Sequence, residues 1–203
     1  MRRLFLILLP VVILTSCFTS KSPLYEANQV VQDDRLSGIY TNLYDGKSGD
    51  RSTWTIKRSG DQGWRYDILI KDGVASIELA ATLFRLDTNL WLDLYPLRDS
   101  GARHQADVPT ASEIIHLAFF EAYHIAWKVE ILDDQIAYYC PASGGGAEKV
   151  LKEAPELKSR RYDNWTFIVL PDSPKEAQKY LRRFADDPEV FMFKGKLMRK
   201  KEP

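Results

Sequence analysis

The stretch YHIAWKVEI, residues 123–131, alternates along its length. Tyr123, Ile125, Trp127, Val129 and Ile131 share one phase; His124, Ala126, Lys128 and Glu130 share the other. Successive side chains leave opposite faces of a pleated strand, so a period of two marks a β-strand with one face on a core. Asp133-Asp134 then supplies a turn, and Ile136-Ala137-Tyr138-Tyr139-Cys140 returns as the partner. This hairpin sets the fold class.

Upstream, the same period recurs in Trp54-Thr55-Ile56-Lys57 and in Trp64–Ile70. Asp72-Gly73 is the dipeptide of a tight hairpin, because a type I′ turn needs positive φ angles. Ile77, Leu79, Ala81 and Leu83 continue on one face, Asp87-Thr88-Asn89 turns the chain, and Leu90–Tyr95 returns until Pro96. Downstream, residues 147–154 read as a short helix before Pro155, and Trp165–Leu170 as a strand-length apolar run. Ser173, Pro174 and Glu176 mark a helix start with a capping box, and Ala177, Tyr180, Leu181 and Phe184 give that helix one apolar face. A short last strand and a basic tail, Lys194 to Lys201, complete the chain. Seven to nine closely spaced strands must hide their edges, and closure is the common solution. The expectation is a mainly β fold: a small antiparallel β-barrel or strongly curled sheet with a C-terminal helix packed on it.

The chain has 203 residues, enough for one domain with a real core. With 28 Lys+Arg against 28 Asp+Glu, it offers nucleic acid no long-range attraction. Two cysteines exclude a disulfide scaffold and a Cys-based zinc cluster.

The first residues, MRRLFLILLPVVILTSCFTS, join a positive Arg2-Arg3 to an apolar run from Leu4 to Leu14. That run suits a signal peptide over residues 1–16 and is too short to span a bilayer. Leu14-Thr15-Ser16-Cys17 resembles the lipobox of bacterial lipoproteins. The resemblance implies cleavage before Cys17 and a diacylglyceryl group on its sulfur, with the new amine commonly acylated too. Two or three chains anchor stably where one does not. Phe18 in place of Asp implies the outer membrane by resemblance to known lipoprotein sorting, with the domain facing the periplasm. Residues 17–35 are polar and aperiodic and read as a tether with a short helix docked around Tyr25–Val31; residues 36–203 read as one domain.

Over residues 36–141 the strand pattern resembles the calycin group, which includes the lipocalins, and barrel-shaped bacterial lipoproteins. Gly38-Ile39-Tyr40 matches the Gly-x-Trp signature except that Tyr stands for Trp. The resemblance implies an architecture and carries no function by itself.

Candidate site residues fall into groups. Trp54, Trp64, Tyr66 and Trp127, with Tyr123, Trp165 and Phe167, lie in apolar phases. They could line a cavity for an apolar ligand, although so many rings favour a filled core. Arg98, Arg103, His104 and Asp107 lie in a long polar connection, 98–112, chemically capable but without a specific pattern. His116 and His124 lack the i, i+4 spacing of a helical zinc pair, and His124 reads as a surface residue. Asp93, between Trp91 and Tyr95, reads as half of a structural ion pair with Arg85 or Arg98. Gly144–Gly146 lacks the Gly-Lys-Ser/Thr of a phosphate loop, no Gly-x-Ser-x-Gly elbow is present, and Cys140 reads as a small core residue. No cofactor is implied. The sequence therefore points to a non-enzymatic, lipid-anchored envelope protein. Its acyl chains would hold the membrane, and its partner would be an envelope protein or a small apolar ligand. An envelope hydrolase or carbohydrate-active enzyme using the 98–112 loop is the alternative.

Overall fold

A computed structural model describes residues 15–44, 52–60, 63–73, 75–97, 123–141, 145–162 and 165–200. Eight antiparallel strands close a barrel. They are β2 (Gly38–Tyr44), β3 (Thr53–Arg58), β4 (Arg65–Asp72), β5 (Ala75–Leu86), β6 (Asn89–Pro96), β7 (His124–Ile131), β8 (Gln135–Pro141) and β11 (Phe191–Arg199). Seven of them follow one another round the wall, and β11 closes it between β8 and β2. The alternation decides which side chains enter: in β4, Tyr66, Ile68 and Ile70 are buried while Asp67, Leu69 and Lys71 face out. The hairpin at Asp72-Gly73 forms as expected, with Gly73 at φ +56° and Asp72 opposite Ala75.

Between β8 and β11 the chain leaves the wall to build a second layer. It forms α1 (Gly145–Glu153), β9 (Lys158–Tyr162), β10 (Trp165–Val169) and α2 (Pro174–Phe184). β9 occupies ground that the sequence reading left as a charged connection. β1 (Thr15–Ser20) pairs in parallel with β10 and, through Thr19 and Ser20, antiparallel with the start of β7. Further along, β7 pairs on that side with β8 instead, so the sheet forks there. The expected capping box of α2 does not form: Ser173 makes no side-chain cap bond, and the Glu176 carboxylate instead accepts from Lys179 Nζ at 2.7 Å.

Two apolar cores result. One fills the barrel, with Tyr40, Trp54, Ile56, Tyr66, Leu79, Leu83, Val129, Tyr138 and Leu197 among its members. The other lies outside the wall, where Phe84, Trp91 and Ala126 meet α1, α2 and β1 through Val150, Leu181, Phe184 and Phe18. Among the described residues, no helix is long and apolar enough to cross a membrane.

The segment expected as a tether is packed instead. Leu24 and Leu36 are fully buried, Val30 bridges to Phe84, and Val31 N–H donates to Leu83 O at 3.0 Å. Residues 21–30 thus run as a strap over the outer face of β5 and β6, and Val31 to Leu36 turn in against the barrel core and close one end of it. The reason is apolar content too sparse to register as a period: single residues spaced along a polar segment each find a groove. Two short 3-10 turns, Ala27–Gln29 and Asp34–Leu36, replace the expected helix.

Candidate functional site

The barrel has two unlike ends. One is stopped by its own chain. Tyr40 Oη donates to Arg35 O at 2.5 Å, and Arg199 Nη2 donates to Tyr40 Oη at 2.7 Å. The guanidinium also lies 5.0 Å above the Tyr40 ring and donates through Nη1 to Ser37 O at 2.8 Å. Burial pushes the Tyr40 hydroxyl above its ordinary range, so it stays a neutral donor at physiological pH. Gly38 makes room: a Cβ there would come within 2.5 Å of Arg199 Nη1.

The other end is where β2, β6 and β8 finish and β3 and β7 begin. Towards it, three rings from three strands meet inside the barrel. Trp127 and Tyr138 stack with centroids 5.1 Å apart and planes 15° apart, and Trp54 lies 5.7 Å from Trp127 and 6.3 Å from Tyr138. Their polar atoms are fixed: Trp54 Nε1 donates to Ser52 Oγ at 3.0 Å, and Tyr138 Oη to Asn42 Oδ1 at 3.1 Å. Trp54 and Tyr138 are buried, but Trp127 remains partly exposed beside the fork in the sheet. An apolar guest would meet π faces and two oriented amide and hydroxyl groups here.

Of the four aromatic candidates, the structure brings together Trp54 and Trp127 only. Tyr66 belongs to the stopped end, where its hydroxyl donates to Asp33 O at 3.1 Å and accepts from Asp33 N–H at 3.0 Å. Trp64 is outside the barrel and 37% exposed, lining a groove of about 440 Å³ with Tyr25, Ala27, Val30 and Gln32. Tyr138 and Asn42 were missed by sequence reasoning. Tyr138 lies in a strand phase the sequence displayed, but nothing local assigns it to the ring cluster. Arg98, Arg103, His104 and Asp107 lie outside the described residues, as does His116.

The second constellation is electrostatic. Asp93 is 3% exposed on the outer face of β6, and His124 Nδ1 lies 3.0 and 2.9 Å from its two oxygens. Leu24 N–H donates to Asp93 Oδ2 at 3.3 Å, and the Tyr95 ring lies 4.6 Å from the imidazole. Desolvation raises the Asp93 pKa, against the lowering pull of His124 and of the Leu24 N–H. Among the described residues the partner of Asp93 is therefore His124, not Arg85, while Arg98 lies outside them; His124 is not a surface residue. Its phase is outward from the barrel, but the strap and second layer cover that face.

Ser20 is opposite His124 in register, the layout a nucleophile–base pair would need. Its Oγ instead approaches Pro171 O at 3.5 Å and accepts from Ser22 N–H at 3.2 Å. Asp93 holds the strap through the Leu24 N–H, and two further bonds assist: Leu24 O accepts from Gln178 Nε2 at 3.0 Å, and Thr82 Oγ1 donates to Tyr25 Oη at 3.3 Å. Among the described residues, no three His, Cys, Asp or Glu side chains are grouped to hold a metal.

Cys17 is in β1, 7% exposed, opposite Phe167, and its side chain joins the barrel core, as does that of Cys140. No family model, curated protein or solved structure matches the chain.

Proposed function

We propose that this chain is a non-enzymatic envelope lipoprotein, anchored through acyl chains on Cys17 and facing the periplasm from the outer membrane. Its barrel would hold a small apolar ligand against Trp54, Trp127 and Tyr138. The observation that carries the ligand is the ring cluster: large π faces gathered inside a closed barrel, with one ring still accessible. The anchor rests on the leader and on Leu14-Thr15-Ser16-Cys17. The eight-strand barrel and Gly38-Ile39-Tyr40 at the start of its first strand support the calycin-like reading.

Acylation has a structural consequence. A diacylglyceryl thioether is far larger than the space beside a side chain only 7% exposed. Residues 17 and 18 must therefore leave β1 in the acylated chain, and Phe18 must give up its contacts with Phe184 and Phe191. Leu24, held by Asp93, is where the strap begins to be fixed.

Two measurements test the proposal. Intact mass and N-terminal peptide mass of the membrane-extracted protein should carry acyl groups on Cys17, and Cys17→Ser should move to the soluble fraction. Native mass spectrometry after gentle extraction should release one apolar small molecule, lost in Trp127→Ala. Unchanged fractionation and N-terminal mass in Cys17→Ser would remove the anchor. Wild type and Trp127→Ala giving identical ligand-free spectra would remove the ligand.

A further inference from the structure

One flank of the barrel is left bare by the strap and the second layer, and its chemistry differs from the rest. The outward side chains of β2 are Ile39, Thr41 and Leu43; Ile39 is 46% and Leu43 43% exposed. The register sets Thr55 and then Leu69 beside Ile39, and Thr53 and Met198 either side of Thr41. Lys196 is opposite Leu43, Lys200 N–H donates to Ile39 O, Lys71 is opposite Thr53, and Lys57 is one pleat further along β3. All four lysines are exposed. Among the described residues, the acids at this flank are Asp67, opposite Lys57 and already 3.2 Å from Arg65 Nη2, Glu78, opposite Leu69 on β5, and Asp134, whose backbone oxygen accepts from Arg199 N–H next to Lys200. Positive charge therefore exceeds negative around an apolar and threonine centre. The residues read from sequence as a basic tail are in fact largely the wall strand β11, which fixes Lys196 and Lys200 at this rim.

We propose that the β11–β2–β3–β4 flank is a docking surface for a membrane rich in anionic headgroups. Charge complementarity selects this occupant. A second copy would bring two lysine rims together, which repel. Lysine stems can lie along apolar surface while their ammonium groups reach phosphates, so Ile39, Leu43 and Met198 enter the interface as the rim stays at headgroup level. The closed barrel wall offers no free strand edge on this side, so contact is through side chains alone. The surface works without the acyl anchor, and the two readings fail separately.

The test is vesicle flotation of the chain from position 17 carrying Cys17→Ser, which keeps the whole barrel and both helices. It should float with vesicles containing phosphatidylglycerol at low salt and stay behind with pure phosphatidylcholine vesicles. Each lysine lost from the rim should weaken binding about fivefold. Lys57→Glu/Lys71→Glu/Lys200→Glu should abolish flotation, and Ile39→Ser/Leu43→Ser should reduce it while near-UV circular dichroism stays unchanged. Equal flotation with both vesicle types, absence of flotation with phosphatidylglycerol, or a triple variant that floats like its parent would overturn the proposal. Absence of flotation together with saturable binding to an acidic protein would reassign the surface to a protein partner. Acylation of wild-type Cys17 bears on the anchor alone.

Discussion

Replacing His124 with alanine strands a carboxylate in the second core. Among the described residues, Asp93 would keep the Leu24 N–H at 3.3 Å, too long to replace an imidazole Nδ1 that lies within 3.0 Å of both oxygens. Leaving a buried carboxylate without its partner typically costs about 3–5 kcal/mol, and the burial here (Asp93 side chain 1% exposed, His124 14%) leaves little solvent to soften it. The carboxylate can escape by taking up a proton, which fixes the sign with pH. Desolvation already raises its folded pKa above 3.8, and losing His124 raises it further. A raised folded pKa means that stability is fully present below the unfolded value and is lost as pH rises through the folded value. His124→Ala should therefore be close to wild type in acid and fall away as pH climbs above the ordinary carboxylate range. Asp93→Asn/His124→Ala, with no charge to bury, should lack that decline. Urea unfolding followed by tryptophan fluorescence across this range measures all three chains. A cost for His124→Ala that does not change with pH, or matches the double variant throughout, would refute the idea that Asp93 is held as a charged partner of His124.

Gly38→Ala places a methyl against Arg199 Nη1 at a φ of +156°, so the guanidinium must give up Ser37 O or the Tyr40 ring; a loss of about 1–3 kcal/mol is expected in thermal unfolding. Tyr40→Phe removes the hydroxyl shared by Arg35 O and Arg199 and should cost about 1–2 kcal/mol by urea titration, with the fold retained. Phe18→Ala should cost about 3–5 kcal/mol in the Cys17→Ser chain, where β1 stays docked, and far less in the acylated protein, where residues 17 and 18 have left it. Equal costs in the two backgrounds would mean that β1 and the lipid coexist.

Local alternation carried much of the barrel. Trp64–Ile70, Leu90–Tyr95 and residues 123–131 each announce their own strand, and Asp72-Gly73 announces its own turn. What alternation cannot convey is what covers the outward phase. His124 and Asp93 share that phase with solvent-facing residues on other strands, yet here Leu24 and α2 lie over it. Only long-range packing buries them. The ring cluster was half legible for the same reason: Trp54 and Trp127 signal apolar positions, but their meeting with Tyr138 depends on the wall closing through β11. The parallel pairing of β1 with β10, across about 150 residues of chain, leaves no mark in either segment beyond apolar content.

That pairing also bounds where the domain can sit. On the lipid-anchored reading, β1 gives way, because a covalent thioether is permanent while Phe18 contributes only about 2–3 kcal/mol of burial. Thr19 and Ser20 are the next points of contact with β10 and β7, and if all of β1 lifts off the first residue still held is Leu24, through Asp93 and Gln178. Between it and Cys17 the extended chain reaches no more than roughly 25 Å, at about 3.5 Å per residue. So short a lead keeps the barrel beside the bilayer and raises the local concentration of headgroups around any surface turned towards them. A weak lysine-rimmed flank is then sufficient to set orientation, since the anchor has already supplied proximity. The Asp93–His124 pair fixes the point from which that lead is measured: loosening it lengthens the tether by the residues of the strap and lets the barrel drift from the membrane.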